Sequence, residues 1–178
     1  MNRQPLVEQI PALRRYARAL TGDTWAADDL VQDTLERACS KWRLWTAGSD
    51  LRAWLFTVMH NLYINEVRRA TRQARDRTID IEDVAHELVA LDSGLGHALD
   101  LQRCLLCLPS EQRAVLLLVS VEDMTYAEVA RITGVPIGTV MSRLSRARGR
   151  LQELLDAPAR SADQQAPVSP VTLLRRPK

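Results

Sequence analysis

From Met124 to Leu151 the chain reads MTYAEVARITGVPIGTVMSRLSRARGRL, and this stretch limits the possible folds more than any other. Thr125 followed three residues later by Glu128 makes a capping box, so a helix is predicted from Tyr126 to about Thr133. Gly134 ends it, because glycine takes the left-handed conformation of a tight interhelical turn without strain; Pro136 then presets φ for the next helix. Ala130, Gly134 and Val140 fall where two crossed helices need a small contact, a turn and an apolar anchor. A helix-turn-helix follows.

In its second helix Val140, Leu144, Ala147, Leu151 and Leu154 recur at steps of four and three, which puts them on one buried stripe. Thr139, Ser142, Arg143, Arg146 and Arg150 line the other face, and their chemistry suits phosphate contacts and base-edge hydrogen bonds in the major groove. A run of arginines alone is usually a solvated face. Cap, turn glycine and anchor together favour a DNA reader.

With 178 residues, 46% hydrophobic and 26% charged, the chain is long enough for one globular domain or two small ones. Apolar residues recur at helical spacing and β-branched alternation is nearly absent, so an all-α fold is predicted. A net charge of +2 is modest for a DNA binder, which means that acidic faces with another role offset the basic ones. The N-terminal MNRQPLVEQIP lacks the apolar core of an export signal, and no run reaches the roughly 18 apolar residues of a membrane span. A cytoplasmic protein is expected.

Cys39, Cys104 and Cys107 are an odd set in a chain without an export signal, which argues against a disulfide framework. Cys104 and Cys107 form a C-x-x-C near His97, but the surrounding LQRCLLCLP is apolar and helical and no second C-x-x-C exists. Core packing of both thiols is the expectation. His60 and His86 lack partners at ligand spacing, and no nucleophile with a base or Gly-rich phosphate loop is present. No catalytic residue, metal, cofactor or small-molecule substrate is therefore predicted.

The N-terminal half carries a second pair of faces. Ile10, Leu13, Ala17 and Leu20 form an amphipathic helix closed by Gly22, and another helix begins near Thr24 or Trp25. Its inner stripe is Val31, Leu35, Ala38 and Trp42, while Asp28, Asp29, Gln32, Asp33 and Glu36 crowd the outer face. Asp28 and Asp29 suit the helix dipole; Gln32, Asp33 and Glu36 lie too deep for that explanation. After a loop with Gly48 as breaker, Asp50 caps a long helix with Leu51, Leu55, Val58 and Leu62 as its apolar stripe and Trp54 beside them. Opposite, Asn61, Asn65, Arg68, Arg72 and Arg75 stand in register with Arg69 adjacent, a second stripe suited to nucleic acid.

The acidic segment 77–94 reads as a flexible linker between two small helical domains at 5–76 and 95–156, and 157–178, rich in Pro, Ser and Gln, as a flexible tail. A helix to Leu108 breaks at Pro109 and resumes from Glu111 to Ser120 before the helix-turn-helix. Two other readings are compatible with these residues: a homodimeric regulator binding palindromic duplex, and a Cys-based redox or metal sensor.

Four stretches together make the pattern specific: ADDLVQDTLERA, DLRAWLFTVMHNLYINEVRR, LPSEQRAVLLL and MTYAEVARITGVPIGTVMSRLSRAR. In their order and spacing the chain resembles the extracytoplasmic-function (ECF) sigma factors, compact promoter-specificity subunits of bacterial RNA polymerase. The resemblance implies that Asp29, Gln32 and Asp33 dock on core polymerase, at the clamp helices of β′, with β also in contact. It implies that Trp54, Asn61, Asn65, Arg68 and Arg69, with the loop from Leu44 to Asp50, open the promoter element centred about −10 by flipping a base into a pocket. Pro136, Thr139, Ser142, Arg143 and Arg146 would read the element centred about −35 as duplex. An anti-sigma factor is the implied regulatory partner. Met141 and Ser145 depart from the commoner residues of the upstream reader, and LWTAGSD departs from the commoner loop, so specificity is expected to differ there.

Overall fold

The computed structural model describes residues 4–42, 50–76 and 96–156; most of the loop from Leu44 to Asp50, the linker at 77–94 and the tail at 157–178 lie outside the described residues. Seven helices make up this part: α1 (Gln4–Thr21), α2 (Thr24–Ser40), α3 (Leu51–Asp76), α4 (Gly96–Leu106), α5 (Ser110–Ser120), α6 (Tyr126–Thr133) and α7 (Ile137–Asp156). No strand occurs among the described residues, as the periodicity predicts.

The helix ends follow local chemistry. Asp23 caps α2, its carboxylate accepting from the Ala26 N–H at 2.7 Å, and Asp50 caps α3 through the Ala53 N–H at 3.1 Å. The capping box is complete: the Glu128 N–H donates to the Thr125 hydroxyl at 3.3 Å, and the Thr125 N–H to the Glu128 carboxylate at 2.7 Å. The hydrogen bonds from Thr125 hold the Glu128 carboxyl below its usual range. Gly134 has φ of 68°, the left-handed turn expected between α6 and α7. Gly22 has φ of 72° and is constrained by packing as well. A Cβ there would lie 2.5 Å from a methyl of Leu106, so any larger residue would have to push that side chain of α4 aside and would also be strained by the positive φ.

Two stripes hold largely as read. On α7 Val140, Leu144 and Ala147 are buried while Leu151 and Leu154 pack at the core's margin. On α2 the buried set is Ala27, Leu30, Val31, Thr34 and Ala38, with Leu35 and Trp42 only partly covered. The stripe predicted for α3 is displaced. Of Leu51, Leu55, Val58 and Leu62 only Leu55 is fully buried, and the core side is Leu55, Phe56, Met59, Tyr63 and Ile64. The reason is packing on two sides: α3 lies against α1 and α2 and also against α5 and α6, so it buries a broader, rotated arc.

α1–α3 and α4–α7 are pressed together, and their apolar side chains form one cluster. α5 sits at its centre, with Ala114, Val115, Leu116, Leu117 and Leu118 all buried, because α1, α3, α4, α6 and α7 surround it. Each large side chain buried there contributes about 1.5–3 kcal/mol. Across the seam the Gln102 amide donates to the Ala19 carbonyl at 3.3 Å, and buried Arg113 donates to the Tyr63 hydroxyl at 2.6 Å. Cys104 is half-buried and Cys107 exposed, so core packing fails for Cys107: α4 ends at Leu106 and turns that side chain outward before Pro109. No described helix is long and apolar enough to cross a membrane.

Candidate nucleic-acid interface

The capping box and Gly134 fix the angle at which α7 leaves the turn, and this sets what its first turns present. The Pro136 carbonyl accepts from the Thr139 and Val140 N–H groups, and the Ser142 hydroxyl donates back to the Thr139 carbonyl at 3.0 Å. Pro136, Ser142 and Arg146 are exposed, Thr139 is half-buried, and Met141 stands out at 52% exposure. Arg146 has no ion pair among the described residues. Arg143 behaves differently: its guanidinium is drawn inward onto Glu111 at the start of α5.

On α3, Asn61, Asn65, Arg68 and Arg69 are exposed as the register predicts. The side chain of Arg75, at the end of that stripe, lies outside what the structure describes. Trp54 is half-buried, its ring edge-on to Trp42 at 6.5 Å, so part of it braces α3 against the turn that follows α2. On α2 the carboxylates divide. Asp28 pairs with Arg14 of α1 at 3.1 Å, whereas Asp29 and Asp33 are exposed and make no ion pair among the described residues. Gln32 donates to Glu36 at 3.0 Å along the same face.

Asn61, Asn65 and Arg68 of α3 meet Arg143 of α7 across a cavity of about 280 Å³, walled also by Glu111, Gly134 and His60. Glu111 lies between the two arginines, hydrogen-bonded to Arg143 and 3.8 Å from Arg68. Burial lowers the pKa of His60 to about 4; Arg143 and Arg68 push the same way and Glu111 opposes them. Its imidazole is therefore neutral at ordinary pH, with Nδ1 buried and unpartnered.

Sequence reasoning missed three features. Glu122, just after α5, is buried to 1% exposure and accepts Nε and Nη2 of Arg15 at 3.0 and 2.8 Å and Nη2 of Arg52 at 2.9 Å. Arg52 also donates to the Glu122 carbonyl at 2.8 Å. A lone Glu in VEDMTY carries no periodic signal, and its partners lie 107 and 70 residues away. Glu111 was hidden by its position in a helix's first turn, where an acid suits the dipole. The third is Trp25, 82% exposed in the first turn of α2 beside the acidic face; a Trp off the apolar stripe and close to Asp28 and Asp29 in sequence was the available signal.

An all-α chain with a capped helix-turn-helix, a second Asn/Arg helix face and an acidic helix that precedes both has the layout of a promoter-recognition subunit. Residues 6–60 match the family model described as the Sigma2 domain of PhyR, and residues 98–151 match that of Sigma-70, region 4. The ECF RNA polymerase sigma factor EcfG of Rhodopseudomonas palustris is 36% identical over 155 residues, covering 86% of this chain and 84% of that one. Among solved structures, the sigma factor RpoE of Bartonella quintana, in complex with the anti-sigma factor NepR, is similar with a TM-score of 0.71 and 38% identity. That likeness covers 88% of this chain and 97% of the other. CnrH, in complex with the cytosolic domain of CnrY, is similar with a TM-score of 0.63 at 26% identity, over 88% of each chain. The chain belongs to the ECF RNA polymerase sigma factors.

Proposed function

We propose that the helical faces divide the work of promoter recognition as follows. The exposed acidic face of α2 docks on core polymerase, at the β′ clamp helices, through Asp29, Gln32 and Asp33, with Trp25 as an apolar anchor at its edge. β is contacted as well. Asn61, Asn65, Arg68 and Arg69 of α3, with Trp54 at its start, engage the strand displaced at the downstream element. Unstacking a base costs a few kcal/mol, and contacts to the extruded strand offset part of this, so a non-enzyme assists melting. Pro136, Thr139, Ser142, Arg143 and Arg146 read the upstream element in the major groove. The functional domains are 5–76 and 95–156, and the protein works in the cytoplasm without a cofactor. An anti-sigma factor holds it inactive, by analogy with RpoE bound to NepR and CnrH bound to CnrY.

The observation that carries this reading is one chain with two basic helical faces and an acidic face whose Asp29 and Asp33 have no ion pair among the described residues. Carboxylates left free on a folded surface beside an exposed indole suit a partner. The test is in vitro transcription of fragmented host genomic DNA by purified core polymerase, with transcript start points sequenced. Wild type is expected to direct starts at a shared pair of upstream motifs, and Asp33→Lys to abolish them by blocking assembly. Arg146→Ala is expected to weaken selection at the upstream motif by about 1–3 kcal/mol. Failure of the wild type to bind core or to direct any start would falsify the assignment.

A further inference from the structure

The outward face of α7 has two flanks of different chemistry. On one, Thr139, Arg143, Arg146 and Arg150 recur at steps of four, three and four. On the other, Ile137, Met141 and Ser145 recur at steps of four, and the first two are apolar. Ile137 is 47% exposed and Met141 52%, and neither is part of the apolar core among the described residues. A single exposed apolar side chain on a folded surface needs no explanation. Two stacked on the first turns of a recognition helix stand where such a helix meets base edges. Their burial there contributes nothing to the fold, since the core contacts of α7 are made by Val140, Leu144 and Ala147.

The edges of the bases decide what such a flank can read. In the major groove adenine, guanine and cytosine present hydrogen-bond donors and acceptors, and only thymine adds an apolar group, its C5-methyl. An apolar side chain pressed on a polar edge strips it of water without replacing the bond, whereas on a methyl it gains contact area. Methionine suits the second task, with an unbranched, polarizable thioether that adjusts to the methyl. The neighbours Ser142 and Ser145 are short and exposed, and the Ser142 hydroxyl is turned back to the Thr139 carbonyl at 3.0 Å, so no bulky group stands between Met141 and the groove.

We propose that Met141, backed by Ile137, is a specificity-determining residue of the upstream reader, and that it packs on the C5-methyl of a thymine in the major groove. This rests on the assignment of α7 to the upstream element and extends the same surface past Ser142 and Arg146. The two flanks then select different bases: the arginines suit guanine, and the apolar pair suits thymine.

The test uses holoenzyme assembled from core polymerase and the full chain, on a promoter recovered from the genomic transcription described above. Deoxyuridine replaces the thymines of the upstream element one at a time, on either strand, which removes the methyl and keeps every hydrogen-bonding group. At limiting holoenzyme, wild type is expected to lose about fourfold in transcript yield at one thymine, as removal of one buried methyl implies. Met141→Ala is expected to lose a similar factor on the natural promoter and nothing further at that deoxyuridine. Arg146→Ala is expected to keep the full deoxyuridine penalty. Met141 is exposed, so Met141→Ala is expected to leave the thermal unfolding midpoint of the chain unchanged. An upstream motif without thymine on either strand, wild type indifferent to every deoxyuridine, or a penalty that survives in Met141→Ala overturns the proposal and leaves the sigma assignment standing. Wild type that directs no transcription from any promoter overturns both.

Discussion

The seam between the halves has two ends, each built on one glutamate shared by two arginines, and burial makes them opposites. At the inner end Glu122 has no exposed side-chain surface, and its bonds to Arg15 and Arg52 are charge-assisted and at good distances. At the outer end the Glu111 side chain is 42% exposed, and Arg68, its weaker partner at 3.8 Å, is 62% exposed. Water reaches both sides of every bond that Glu111 makes, whereas at Glu122 it reaches only the guanidiniums and never the carboxylate. The same chemistry thus supplies a fixed point at one end and an exchangeable contact at the other.

The sharpest way to break this contrast is Glu122→Ala. It removes an acceptor that two guanidiniums share and opens a cavity near Phe56, over which Arg52 also sits at 5.6 Å from the ring centroid. Because Arg15 and Arg52 are 54% and 38% exposed and can rehydrate, the loss is expected toward the lower end of the usual range, on the order of 3 kcal/mol. Urea unfolding followed by circular dichroism measures it. A loss under about 1 kcal/mol would mean that the inner end is no more than a surface pair.

His60 offers a second probe, because it lies buried behind the outer end. Its folded pKa, about 4, is below the ordinary value of 6.5, so the unfolded chain binds a proton that the folded one refuses between these pH values. Stability is therefore full above 6.5 and falls as pH drops toward 4. Between pH 6.5 and about pH 5, before most carboxylates titrate, the expected loss is on the order of 2 kcal/mol. His60→Leu is expected to flatten the slope in that window; an unchanged slope would assign the dependence to other groups.

Neither end of the seam is disclosed by the sequence, whereas the local features of each half are. Caps, the glycine turn and the stripe of α7 are local rules, and Thr125, Glu128, Gly134, Val140, Leu144 and Ala147 stand as those rules require. The family was legible for the same reason, since ADDLVQD and the helix-turn-helix are each continuous in sequence. What joins the halves was not. Glu122 to Arg15, Arg113 to Tyr63 and Gln102 to Ala19 are pairs separated by 107, 50 and 83 residues, and no periodicity of 3.6 registers them. The α3 stripe was misjudged from the same blindness: a helix flanked by both halves buries Phe56, Met59 and Tyr63, which a one-sided pattern assigns elsewhere. Cys107, read as core from its apolar neighbours, is exposed because the helix stops one residue before it.

The smallest expected effect tests the outer end itself. Glu111→Gln keeps the shape of the side chain and one acceptor oxygen toward Arg143, and it removes only a charge that water already screens. It also removes an acid from the first turn of α5, where a negative charge on an exposed helix end is worth about 0.3–1 kcal/mol. Against this, Arg68 and Arg143 are like charges left facing His60, whose neutral form they favour. These terms are small and partly opposed, so the net change in unfolding free energy is expected within about 0.5 kcal/mol, several times less than for Glu122→Ala. Urea midpoints of the two variants, measured side by side, give the ratio directly. Equal losses would place the same structural demand on both carboxylates, and Glu111 would then fix the halves as firmly as Glu122 does.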